Sequence, residues 1–218
     1  MRNMMKVYRC ILTAFKIFLL IFAINVGIHC LVDPNYTKYG GFLAGLVLPF
    51  GPNIIRWLFK SRITPRIELI YYIFVFVALD LGICLDYYKT VPFFDKAVHL
   101  CSGVFSAWVG HYALQHWHAN TAPDHFKALF IMCFSLGIAV IWEFFEFGCD
   151  KLLGQSMQQL VSVGVDDTMY DLIAAFIGSA IGGYLLTSPY FVAFIDWFEP
   201  EEQLKALKKV EKTHKKVH

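Results

Sequence analysis

The chain has 218 residues, of which 57% are hydrophobic and only 17% charged, whereas soluble domains carry about 25% charged residues. That composition excludes an ordinary water-soluble globule and points to lipid as the surrounding medium. The formal charge of +2 is too small to suggest a nucleic-acid partner, and most of the basic excess sits in a run from Lys205 to Lys216. The expected organisation is one transmembrane helical domain over 1–198 followed by a basic cytoplasmic tail over 199–218.

A spanning helix needs about 20 mostly apolar residues. The first candidate runs from Cys10 to Val32, behind Arg2, Lys6 and Arg9. It is longer than a signal-peptide core and lacks a small-residue cleavage site before Asp33, so it reads as a retained helix. The second runs from Gly40 to Phe59 and should kink or break at Pro49 and Pro52. The third runs from Arg66 to Tyr88, with Asp80 and Asp86 in its last turns, and Val91 to Phe94 form a tight connection to the fourth, Asp95 to Trp117. The fifth covers Phe126 to Cys149, and the sixth covers Thr168 to Phe194, bent near Pro189. The expected fold class is therefore an all-α polytopic bundle of about six transmembrane helices.

Loop charge orients it. Arg2, Lys6, Arg9, Arg56, Lys60, Arg62, Arg66, Lys127 and the lysine tail fall on the side of the N-terminus, and only Lys38, Lys89, Lys96 and Lys151 fall in loops on the other. The positive-inside rule then places both termini in the cytoplasm. The six cysteines, at 10, 30, 84, 101, 133 and 149, show no CxxC pair and no zinc-finger spacing.

Ionisable residues inside spanning segments are costly and mark function by default. Here they gather near the outer ends of the helices: Asp80 and Asp86, then Asp95 and His99, then Glu143, Glu146 and Asp150, then Asp166, Asp167 and Asp171. Asp95 with His99, Glu143 with Glu146, and Asp167 with Asp171 are three or four residues apart, so each pair shares a helix face. Ala174, Gly178 and Gly182 continue the last stripe with small residues that let helices approach closely, which turns Asp171 into the bundle.

Converging carboxylates repel unless they share protons or bind a cation. His99, Glu143, Glu146 and Asp171 are the candidate ligands of a divalent metal (Mn, Zn, Mg or Ca), with Asp95 or Asp167 as general base or orienting group. The plainer reading is helix capping and surface anchoring, which suits Asp86, Asp95, Asp150, Asp166 and Asp167 best. It suits Glu143 and Glu146 least, since they stand among Trp142, Phe144, Phe145 and Phe147. His111, His116, His118 and His125 read as interfacial residues, and His29 as a weaker candidate near the acidic end.

The motifs Phe94-Asp95-Lys96-x-x-His99, Trp142-Glu143-x-x-Glu146 and Asp167-Thr168-x-x-Asp171-Leu172, with Gly178 following, resemble the YjdF family of bacterial inner-membrane proteins and, more distantly, VanZ-like proteins, over residues 66 to 186. The resemblance implies a multi-pass protein of the bacterial inner membrane with a role in the cell envelope. It supplies positions and no reaction. Three functions stay open from sequence: a metal-dependent hydrolase or transferase acting on a lipid or lipid-linked substrate, a proton- or cation-coupled transporter, and a non-catalytic accessory protein.

Overall fold

The computed structural model describes residues 2–33, 35–60, 63–158 and 165–188. The expected tail over 199–218, Arg62 and the bend at Pro189 lie outside the described residues. Helix is the only regular structure among those described. Along the chain run α1 (Arg2–Val32), α2 (Tyr39–Val47), α3 (Gly51–Phe59), α4 (Pro65–Val75), α5 (Tyr87–Thr90), α6 (Phe94–His116), α7 (Asp124–Leu153) and α8 (Val165–Thr187).

Among the described residues five stretches are long and apolar enough to cross a membrane: Val7–Val32, Tyr39–Phe59, Pro65–Cys84, Asp124–Leu153 and Val165–Thr187. The expected fourth span corresponds to α6, which has 23 residues, as many as α8. It carries Asp95, Lys96, His99, His111 and His116, and it packs against α7 and α8 in a tight trio. The all-helical polytopic fold is as the composition demands.

The second span breaks where proline removes backbone donors. A 3-10 turn, Leu48–Phe50, separates α2 from α3, with Pro49 inside it and Pro52 in the first turn of α3. The third span differs from expectation. Thr64 starts α4 by accepting a bond from the Ile67 amide at 3.4 Å, ahead of Pro65. From Phe76 to Cys84, however, the helix widens to π geometry, closing with the Leu85 amide on the Asp80 carbonyl at 3.0 Å. The span ends at Cys84 instead of Tyr88, and Asp86 sits beyond it in the left-handed region at φ 59°. At the far end of α7 the helix runs a turn past Cys149 and stops at Gly154, whose φ of 64° suits glycine.

Two packing units result. Leu12 and Leu19 of α1 pack with Ala44 of α2 and with Tyr72, Val75 and Leu79 of the third span. Ala107 and Leu114 of α6 pack with Ile131 of α7 and Leu186 of α8. Apolar side chains such as Ile21, Ile28, Phe144, Phe147, Ile177 and Tyr184 point outward, as a surface facing lipid requires. All six cysteines are free thiols.

The trio is set by glycine. A Cβ on Gly178 would strike the Leu100 carbonyl oxygen of α6, and one on Gly103 would strike the Ala175 carbonyl oxygen of α8. Backbone faces backbone at this crossing. Gly178→Ala or Gly103→Ala should therefore destabilise the protein by about 1–3 kcal/mol, the scale of overpacking. Gly137→Ala and Gly148→Ala, where nothing lies within 4 Å of the new atom, should be neutral or stabilising by up to about 1 kcal/mol. Thermal unfolding in detergent would compare the four.

Candidate functional site

The α6–α8 crossing aligns the first turns of those helices with the last turns of α7. Lys96 is the centre of what meets there. Its ammonium donates to Asp95 Oδ2 at 2.9 Å, Asp167 Oδ1 at 2.9 Å and Asp171 Oδ1 at 2.8 Å. The aspartate side chains are largely buried, with Asp171 only 3% exposed. Asp95 and Asp167 thus spend their carboxylates on Lys96, and neither residue supplies a side-chain cap to its helix among the described contacts. Lys96 belongs to the first turn of α6 and not to a loop, which corrects the reading of it as a loop charge.

One turn deeper, His99 is buried among three carboxylates. Its Nε2 lies 3.5 Å from Asp95 Oδ1 and 3.8 Å from Asp171 Oδ1, and its Nδ1 lies 3.9 Å from Glu143 Oε1. These separations are too long for hydrogen bonds. Asp95, His99 and Asp171 each offer an atom within 4.8 Å of the others. Two ligands of one cation bound at about 2.0–2.2 Å stand no more than about 4.4 Å apart, so the three side chains would close in slightly to hold one.

Glu143 is 5% exposed, and both of its carboxylate oxygens are buried without a hydrogen-bond partner among the described residues. Gln158 and Thr168 face it, but the Gln158 amide closes its bond on Thr168 Oγ1, at 3.1 Å. A buried unpaired carboxylate is expensive, so Glu143 marks a position where a further donor or cation fits. Glu146 is instead held by the Trp142 indole N–H at 2.8 Å. Of the expected metal ligands, then, His99, Asp171 and Glu143 face one another and Glu146 stands aside, while Asp95 joins the group.

The remaining acids have other duties. Asp150 accepts the Met157 amide at 2.6 Å and the Gln158 amide at 3.0 Å, which fixes the turn after α7. Asp166 is exposed. Asp80 makes no ion pair with the cluster, and its Oδ2 is buried without a partner among the described residues. His29 is exposed and lies against the Tyr36 ring, with centroids 5.6 Å apart.

Two cavities flank the cluster. A polar vestibule of about 520 Å³ is bordered by Lys38, Asp86, Tyr88, Lys89, Asp95 and Glu146. An apolar cavity of about 400 Å³ begins at His99 and Tyr88 and extends between α3, α4, α6 and α7. Tyr88 lines both. Its ring packs edge-on against Phe94 at 5.3 Å, over Gly82, which lacks the Cβ that would strike it. Burial, reinforced by the negative charge of Asp95, Glu146 and Asp171, pushes the Tyr88 phenol well above its ordinary pKa. It stays a neutral hydrogen-bond donor at the seam.

Lys38 braces the vestibule by donating to the Ile83 and Cys84 carbonyls at 2.7 and 2.9 Å and to Asp86 Oδ2 at 2.7 Å. Sequence spacing does not reveal these partners, which are 45 to 48 residues apart. Nor does it reveal Lys96, whose partners on α8 are 71 and 75 residues away. The only available signal was the adjacency of Asp95 and Lys96 at a helix start.

Replacing Lys96 with Met leaves buried aspartates uncompensated and should cost about 3 kcal/mol. A Lys96→Met, Asp167→Asn double variant should recover part of that loss, and unfolding of the set as a mutant cycle reads the coupling. At the vestibule, burial of Asp86 opposes ionisation, but Lys38 and Lys89 outweigh it and hold the carboxyl below its ordinary value of 3.8. A depressed folded-state pKa contributes stability above the unfolded value and loses it as pH falls through the folded one. The stability difference between wild type and Asp86→Asn should therefore be constant at neutral pH and shrink below about pH 5.

The comparisons with known proteins agree with this architecture. A relative from Thermotoga maritima, described as an uncharacterized protein, is 29% identical over 131 residues, covering 59% of this chain. The chain spans 66% of that relative's length. No solved structure matches. A family model described as "Predicted membrane protein (DUF2238)" matches residues 11–189, in agreement with the resemblance to YjdF, while a VanZ-like relationship is not shown. The chain belongs to this DUF2238 family of membrane proteins.

Proposed function

We propose that this protein is a membrane enzyme that hydrolyses or transfers a group on a lipid or lipid-linked substrate, using a divalent cation held by Asp95, His99 and Asp171. The observation that carries the reading is Glu143: a buried carboxylate with neither oxygen paired among the described residues, 3.9 Å from His99, at a cluster wedged between a polar vestibule and an apolar cavity. Mn, Zn or Mg suits the oxygen-rich donor set with one imidazole. When bound, such an ion supplies Lewis-acid polarisation and a readily deprotonated water.

The chain's own residues supply the rest. Glu143 completes the cation's surroundings or takes a proton from the nucleophile. Asp167 and Lys96 orient Asp171 and set the local charge. Tyr88, kept protonated, donates to the substrate's head from the vestibule side. The loop charges support placing the cluster at the outer leaflet of a bacterial inner membrane, since Arg56, Lys60, Arg66 and Lys127 lie at the opposite helix ends.

Lys96 favours a second reading, in which the cluster is a structural lock and the protein an accessory subunit, because its ammonium already bridges three of the aspartates. Metal analysis separates the two. Chelator-stripped protein resupplied with Mn²⁺, Zn²⁺ or Mg²⁺ should retain near-stoichiometric metal and gain about 2.7 kcal/mol of stability at a hundredfold excess over Kd. His99→Gln and Glu143→Gln should remove that gain while leaving the fold intact. Absence of metal from wild type after resupply would leave the lock as the surviving reading.

A further inference from the structure

The apolar cavity lies where the two packing units fail to meet. Its walls come from Pro52 and Ile55 of α3, Val75 at the end of α4, Phe105 of α6 and Phe134 of α7. The α6 residues that line it run from Val98 to Tyr112, a depth of about 21 Å at 1.5 Å per residue. It therefore extends from the cluster through most of the hydrocarbon layer.

Three of the polar groups on its wall are already bonded to the protein. Ser102 donates to the His99 carbonyl at 2.7 Å, and Tyr71 donates to the Leu48 carbonyl at 2.7 Å. Glu68, at the far end, is paired with Arg56 and accepts from the Tyr72 hydroxyl at 3.1 Å. A roomy cavity walled almost wholly by apolar and aromatic side chains stays dry and favours hydrocarbon.

Capacity decides which hydrocarbon. At about 30 Å³ for each water-sized group, a volume of about 400 Å³ holds about thirteen methylenes. One acyl chain fits, whereas a pair of acyl chains or a long polyprenyl chain does not. We propose that the cavity is the binding site for the single acyl chain of a monoacyl lipid, whose polar head passes Tyr88 into the vestibule. This rests on the enzymatic reading of the cluster and narrows its substrate to a one-chain amphiphile.

The protein carries its own reporters, because Trp108 and Trp142 line the cavity. Trp57 and Trp117 are exposed at 78% and 58%, so they and Trp197 are first changed to Phe. The variant is placed in nanodiscs of diacyl phosphatidylcholine. Brominated monoacyl phosphatidylcholine, brominated diacyl phosphatidylcholine and brominated polyprenyl phosphate are then compared as quenchers at equal mole fraction. The monoacyl probe should quench most strongly. Its affinity should rise about fourfold per methylene and level off near thirteen carbons.

Ser106→Phe and Ala139→Phe, each filling the cavity, should remove the excess quenching. Equal or stronger quenching by the diacyl or polyprenyl probe, or an affinity that climbs without levelling off, overturns the proposal. The chain-length series on the unplugged protein decides the matter even where a plugged variant fails to fold. Mn²⁺-dependent stabilisation measured on the same proteins separates the two ideas. Loss of quenching preference with intact Mn²⁺ binding sinks the acyl site alone, and the reverse result sinks the cation site alone.

Discussion

The backbone contact between α6 and α8 at Gly103 and Gly178 sets the register on which every other feature depends. In lipid, helices gain little from hiding apolar surface from one another, so close packing and polar contacts hold them together. With Cβ atoms at those positions the helices would stand apart, and Lys96 would not reach Asp167 and Asp171. Ser135 and Ser179 reinforce the crossing at the same level. Ser135 Oγ donates to the Gly103 carbonyl and Ser179 Oγ faces Ser135 Oγ, both at 2.7 Å. Small residues thus let the backbones touch, hydroxyls lock the touch, and the acidic ends of the helices are brought together as a consequence.

The charge balance of that end is uneven. Lys96 offers a single positive charge, and its donors are used on Asp95, Asp167 and Asp171. Glu143 and Glu146 are left over, one unpaired and one held by an indole. Buried ion clusters add little stability compared with well-packed apolar side chains. The lock between α6 and α8 is made without the glutamates on α7.

Much of this was legible in the sequence because helical period and hydropathy are local properties. The pairing of Asp95 with His99 and of Asp167 with Asp171 on shared faces follows from the 3.6-residue turn, and the break at Pro49 follows from a missing donor. Two things were not legible. Lys96 sits beside Asp95 and so looked like a loop charge; its role comes from α8, through a register fixed by glycines. The π-helical stretch from Phe76 to Cys84 has an ordinary apolar composition, yet it changes which face each residue presents. Counting α-helical turns through it extends the span to Tyr88 and groups Asp80 with the other acids. In the structure Tyr88 is freed to stand at the seam, and Asp80 is left apart.

The irregular backbone explains where the cavities are. Within the hydrocarbon layer, non-helical or distorted segments are tolerated where they are buried in protein or line a cavity. Both distortions obey this rule. Leu48, Gly51 and Pro52, at the break in the second span, line the apolar cavity. Ala78 and Leu79 of the π-helical stretch line the same cavity, and Gly82, Ile83 and Cys84 line the vestibule. One widened helix therefore borders both spaces and leads directly to Tyr88 between them. The departure from regular helix thus gives one segment that borders both the polar vestibule beside the charged cluster and the hydrocarbon-lined space behind it.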